Sequence, residues 1–290
     1  MKIIQSYAHF SEGSPRLNGV NKNKIFLNFY SFLLSYLTLK KYYGNVAMYC
    51  NESGYEKIVK HIPYDEINII ENNNSVRFWS YYKIDTIRQM NQDFIHVDSD
   101  VFIFDDLFSS FINNGGYDNI VQNIIPESYN YVKDYVKNYN KFIVENDIIN
   151  PEKYDRRCHG CGVIGMRCKH KDGYVEMCDK IKKNFEENDC TDIGFIGMVC
   201  EELASYLYSL KHVLNTYQII PYDDILKYGS ENVAANYHNY THLYLDSKFK
   251  PKYVKLVRNK ILKEFVEATE IVEKYEKDVM KRFKFLDLIK

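Results

Sequence analysis

The stretch DFIHVDSDVFIFDD, residues 93–106, sets two carboxylates, Asp98 and Asp100, between the apolar runs FIHV and VFIF. Burying an unpaired charge is costly, so carboxylates in such a frame need a cation or hydrogen-bond donors beside them. Read as one strand, the stretch points both side chains to the same side, because strand side chains alternate. Placed so, they suit a hard divalent cation such as Mn2+ or Mg2+, which prefers oxygen ligands and often carries a diphosphate as well. Asp105 and Asp106, beyond the second apolar run, are expected to face solvent.

The elements around the pair must bring it to a usable place. Lys2–Tyr7 reads as a strand, Lys24–Tyr43 as a helix, and Asn45–Cys50 as a second strand ending in a turn. A short helix over Tyr55–His61, a strand over Glu66–Ile70 and a helix over Val76–Met90 follow, and the acidic stretch is the next strand. Strands alternating with helices predict an α/β fold with a mainly parallel central sheet. Ligands of such open sheets bind beyond the carboxyl ends of the strands, where Asp98 and Asp100 fall. Further on, a strand is expected from Asp118, a helix over Tyr129–Ile149, a small-residue turn and strand over Cys158–Met166, and a helix over Glu201–Leu210.

From Pro251 the pattern is helical, with Val254, Val257, Ile261, Phe265, Ala268, Val272, Tyr275, Val279, Phe283 and Leu286 on one stripe. Residues 1–250 are therefore expected as the main domain and 251–290 as an amphipathic helical extension. The stripe would pack on its own domain, on a second copy in a homodimer, or at a membrane surface.

The chain has 290 residues, 46% hydrophobic and 27% charged, with a net charge of -1. That balance is globular and lacks the basic surplus of a nucleic-acid binder. No apolar run reaches membrane-spanning length, and the N-terminus has no secretory apolar core. Seven cysteines without framework spacing suit a reducing, cytoplasmic setting.

The apolar-DxD-apolar core, FIHVDSDVFIF, resembles that of the GT-A fold glycosyltransferases, especially the glycogenin-like family eight and the capsule-type family thirty-two. The resemblance implies a Rossmann-like nucleotide-diphospho-sugar transferase in which Asp98 and Asp100 hold Mn2+ or Mg2+ against a nucleotide-sugar donor such as a UDP-sugar. Lys83, fifteen residues before Asp98, matches a family eight lysine near the donor phosphates, and Asp85 and Arg88 are similar to the D-x-x-R pair of family thirty-two. The segment HLYLDSKFKP, from His242 to Pro251, resembles the family eight H-x-x-G-x-x-K-P, with Leu245 in place of the glycine and Pro two residues late. It implies His242 as third metal ligand, with His238 a competitor, and Lys248 on the diphosphate. In CGVIGM, Gly162 and Val163 match the N-x-G-V segment, where a small residue lets a sugar approach. Glu201 and Glu202 resemble the acidic D-Q-x-x-L segment under the donor sugar, as catalytic candidates; two acids at a helix start are also ordinary dipole complements. Tyr7 and Ala8, at the end of the first strand, would meet the nucleoside. The family implies retention of configuration; the acceptor, a glycan, a protein or another group, stays open.

Three other readings remain. A haloacid-dehalogenase-type phosphohydrolase also uses a strand-borne DxD, although Phe102 stands where such enzymes carry Thr or Val. Cys158-x2-Cys161, with Cys168, His159 and His170 nearby, is half of a zinc site, or a set of buried thiols. A non-catalytic GT-A-like binding protein would keep the same fold.

Overall fold

The computed structural model describes residues 1–10, 22–74, 78–125, 157–187, 196–221, 234–237, 239–243 and 251–289. The helix expected over Tyr129–Ile149, His238 and Lys248 lie outside the described residues. The strands are β1 (Lys2–Tyr7), β2 (Val46–Cys50), β3 (Glu66–Ile69), β4 (Phe94–Val97), β5 (Val101–Ile103), β6 (Asn119–Ile125), β7 (Cys158–Met166), β8 (Thr216–Gln218), β9 (Ala234–Tyr237) and β10 (Tyr240–Leu243). Seven of them form the central sheet, in the order β3-β2-β1-β4-β7-β6-β8. Every pairing is parallel except the two made by β7, which runs against β4 and β6. The expected α/β class, with a mainly parallel central sheet and C-terminal helices, is the architecture observed.

Alternation along the strands makes two apolar layers. Ile3, Val46, Met48, Ile95 and Val97 face one side, while Ile4, Ala47, Tyr49 and Phe94 face the other. The first side is covered by α1 (Lys22–Tyr43), flanked by the short α2 (Glu52–Lys57). Leu27, Phe29, Phe32, Leu33, Leu34 and Leu39 are all buried, so α1 is apolar around most of its circumference, as a helix covered on several sides must be. It stops at Gly44, φ 77°, whose N–H reaches the Lys40 carbonyl at 3.1 Å. That left-handed cap suits a residue without a Cβ. The other side is covered by α3 (Tyr81–Arg88), α5 (Cys168–Glu187) and α6 (Ile196–His212); α4 (Ser109–Asn113) lies between β5 and β6 in the chain.

Two expectations change. The acidic stretch is two strands: β4 lies in the central sheet, while β5 joins a second sheet of order β5-β10-β9. Asp98, Ser99 and Asp100 lie between them in a turn, closed by Val101 N–H donating to the Asp98 carbonyl at 3.0 Å. The alternation argument for the two carboxylates therefore does not apply. The C-terminal stripe is also broken, into α7 (Pro251–Glu264), a 3-10 turn at Val266–Ala268 and α8 (Thr269–Ile289). Phe265 leaves helical space at φ -132°, ψ 66°, and is buried.

The stripe's members from Val257 through Phe265, Val272 and Tyr275 to Val279 join the layer that holds α1. Tyr275 stacks on Phe29 with ring centroids 3.7 Å apart. Across the break, Arg258 Nε donates to Glu276 Oε1 at 2.6 Å, and the Tyr30 hydroxyl donates to the same oxygen at 2.6 Å. This part of the stripe is taken up by the chain's own core. No helix among the described residues is long and apolar enough to cross a membrane.

Candidate functional site

The turn after β4 is fixed from two directions. Asp98 N–H donates to the Gly162 carbonyl on β7 at 2.8 Å, and Leu243 N–H on β10 donates to the Asp100 carbonyl at 3.0 Å. Antiparallel pairing of β5 with β10 sets His242 opposite Val101, one residue past Asp100. As a result Asp98, Asp100 and His242 each offer one ligand atom within 4.8 Å of the others. Among the described residues no other group of three His, Cys, Asp or Glu side chains meets in this way. His242 Nε2 lies 3.4 Å from Asp100 Oδ1, and both side chains are buried.

The back of the imidazole is held as well. His242 Nδ1 is 2.8 Å from Gln122 Oε1 on β6, and the Tyr240 hydroxyl donates to that same oxygen at 2.7 Å. Gly162 makes this possible, since a Cβ there would lie 2.5 Å from both Gln122 Oε1 and His242 Nδ1. The space that sequence reasoning reserved for a sugar is filled here by two side chains of the protein. Gln122 had no signal in the sequence; only the strand register brings it to His242.

Lys83, on α3, reaches the turn from the other layer. Its Nζ donates to the Cys161 carbonyl at 2.8 Å and pairs with Asp98 Oδ1 at 2.8 Å and with Glu201 Oε1 on α6. Burial opposes its charge, but the Asp98 and Glu201 carboxylates outweigh that and hold the ammonium well above its usual range. An ammonium has three donors, and the three acceptors are the protein's own. Glu202 is adjacent. Burial first, then the charge of Glu201, raises its carboxyl far above the usual range, and its Oε2 has no hydrogen-bond partner among the described residues. His96, beside Asp98 at 3.8 Å, takes a hydrogen bond with Ser6 Oγ at 2.8 Å, and burial, with Lys83 second, keeps it neutral.

The remaining expected residues sit elsewhere. The Tyr7 ring is buried, edge-on to Phe32 at 4.9 Å, with its hydroxyl 3.3 Å from His9 Nδ1. Asp85 Oδ2 accepts from Asn74 Nδ2 at 2.6 Å, and Arg88 donates to both oxygens of Asp179 at 3.1 and 2.8 Å. Cys158 and Cys161 are buried thiols that burial pushes well above their ordinary range. His159 Nδ1 bonds Ser205 Oγ at 2.8 Å and His170 Nε2 lies 3.1 Å from Asp118, so these side chains form no metal group among the described residues. Asp105 and Asp106 are exposed.

No curated protein matches the chain. Among solved structures it is similar to the inositol-1-phosphate CTP transferase from T. maritima, at 14% identity and a TM-score of 0.45, over 90% of this chain and 96% of that one. It is also similar to mouse Xyloside xylosyltransferase 1 in its apo form, at 11% identity and a TM-score of 0.41, over 75% of this chain and 84% of that one. Residues 1–275 match the model of a Family of unknown function (DUF6734), and the chain belongs to that family.

Proposed function

We propose that this chain is a metal-dependent glycosyltransferase that moves a sugar from a nucleotide-sugar donor to an acceptor. One observation carries the reading: two carboxylates and an imidazole, remote in sequence, converge at the carboxyl end of β4. That edge is where open α/β sheets bind their ligands. The donor set fits the group, because two carboxylates with one imidazole suit Mn2+ and also accept Mg2+. Asp98, Asp100 and His242 would hold the cation, which when bound supplies Lewis-acid neutralisation of the charge developing on a leaving nucleoside diphosphate.

The other residues prepare this site. Lys83 fixes one oxygen of Asp98, so the carboxylate is oriented before any ligand arrives, and Glu201 acts through Lys83. Glu202, whose carboxyl is pushed upward by burial first and then by Glu201, would offer a hydrogen bond toward a sugar. Lys248 would add positive charge to the diphosphate. The end of β1 would meet the nucleoside through its backbone, since the Tyr7 ring is buried. Retention of configuration is the stereochemical expectation, and the anomeric signal of the product reads it directly.

The test is calorimetric binding of a panel of nucleotide sugars, UDP-sugars first, with and without Mn2+. Binding that requires Mn2+ and is lost in Asp100→Ala is the expected result. No binding across the panel, or binding untouched by Asp100→Ala, overturns the proposal.

A further inference from the structure

We infer that Gln122 is a positioning residue that fixes the tautomer of His242 and so gives the site its third ligand. The inference rests on the metal-site reading above. Neutral imidazole carries one N–H, and only the bare nitrogen can bind a cation. Gln122 Oε1 lies 2.8 Å from Nδ1 and already accepts from the Tyr240 hydroxyl at 2.7 Å, so it is oriented as an acceptor. An acceptor at Nδ1 puts the proton there and leaves the Nε2 lone pair facing Asp100 Oδ1, 3.4 Å away. A partner on the far nitrogen that sets ring orientation and basicity is a recurring device in metal sites.

The arrangement is built, not incidental. Gln122 is 2% exposed and Tyr240 0% exposed, so neither bond competes with solvent. Gly162 leaves room for the pair, since any Cβ would meet both Oε1 and Nδ1 at 2.5 Å. β6, β7 and β10, three strands from two sheets, thus converge on one ring.

Mn2+ alone is the probe, titrated by calorimetry and by loss of the free-ion electron paramagnetic resonance signal. Gln122→Met keeps length but loses the acceptor, and should weaken Mn2+ binding about ten- to a hundred-fold. Gln122→Glu, which can only accept, should restore binding to the level of the unaltered chain or better. Tyr240→Phe removes the bond that orients Oε1, so it should also weaken Mn2+ binding, by no more than Gln122→Met does. Nitrogen chemical shifts of His242 should report the Nδ1–H tautomer in the unaltered chain, which gives a readout independent of affinity.

If Asp100→Ala loses Mn2+ while Gln122→Met binds it normally, the positioning role is overturned and the metal site stands. No rescue by Gln122→Glu overturns it as well. If the unaltered chain binds no Mn2+, the metal site falls and this inference with it.

Discussion

Lys83 shows how much one buried side chain decides. The residue is 7% exposed, and its ammonium pairs with both Asp98 and Glu201. A lysine at this distance from the aspartates was expected to touch donor phosphates, but its hydrogen bonds go to Cys161, Asp98 and Glu201. Lys83→Met therefore leaves the buried Glu201 and the part-buried Asp98 with no cation between them. Removing one partner from a buried ion pair costs on the order of 3–5 kcal/mol. Urea unfolding should show a loss of that size, and Glu201→Gln on the same background should recover part of it. A loss below about 1 kcal/mol would mean that the charges relax into water, and the network would not be holding Asp98.

At the scale of elements, the C-terminal helices act as a clamp on α1. The contact centres on Tyr275, which lies flat on Phe29 and is also edge-on to Phe26 and His61. Truncating a large buried aromatic costs about 3–5 kcal/mol, so Tyr275→Ala should lower the denaturation midpoint accordingly. A near-neutral result would show that α8 lies loosely on the core. The stripe that forms this clamp was legible, because its three- and four-residue spacing is a local property of the chain. The break at Phe265 was not, since phenylalanine fits a helical pattern and nothing in its neighbours' types marks a stop, yet the residue lies buried outside helical geometry. The same limit hid the division of the acidic stretch. Two short apolar runs look alike whether they pair in one sheet or two, and what separates them is the pairing of β5 with β10, far along the chain. Asp98, Asp100 and His242 could be picked out by residue type and spacing. Gln122 could not, because a glutamine inside a strand carries no sign of which side chain stands opposite.

Over the whole molecule, buried titratable groups pull stability in opposite directions with pH. Burial lowers His159 to about 3, and burial followed by the Lys57 charge lowers His9 to about 4, while His96 is also held low. In the unfolded chain these imidazoles take up protons near 6.5. Below that pH the unfolded state binds more protons than the folded one, so the histidine contribution is full above about 6.5 and is lost as pH falls toward 3–4. Asp65 and Asp118, held low against the cost of their burial by Lys40 and Lys169, act in the same direction at still lower pH. Glu202 has the opposite sign. Its folded carboxyl is raised, first by burial and then by Glu201, so its contribution is full below about 4.5 and is lost as pH rises. The lowered histidines outweigh one raised glutamate between about 4.5 and 6.5; above that the glutamate, joined at higher pH by the raised Cys158 and Cys161 thiols, pulls the other way. Stability of the metal-free chain should therefore peak near pH 6.5 and fall on both sides, in urea unfolding series with chelator present. His159→Asn should flatten the acid limb by up to about 1.4 kcal/mol per pH unit, and Glu202→Gln should flatten the alkaline one. A maximum below pH 5, or an acid limb that His159→Asn leaves as steep as before, would show that these imidazoles take up protons within the folded state.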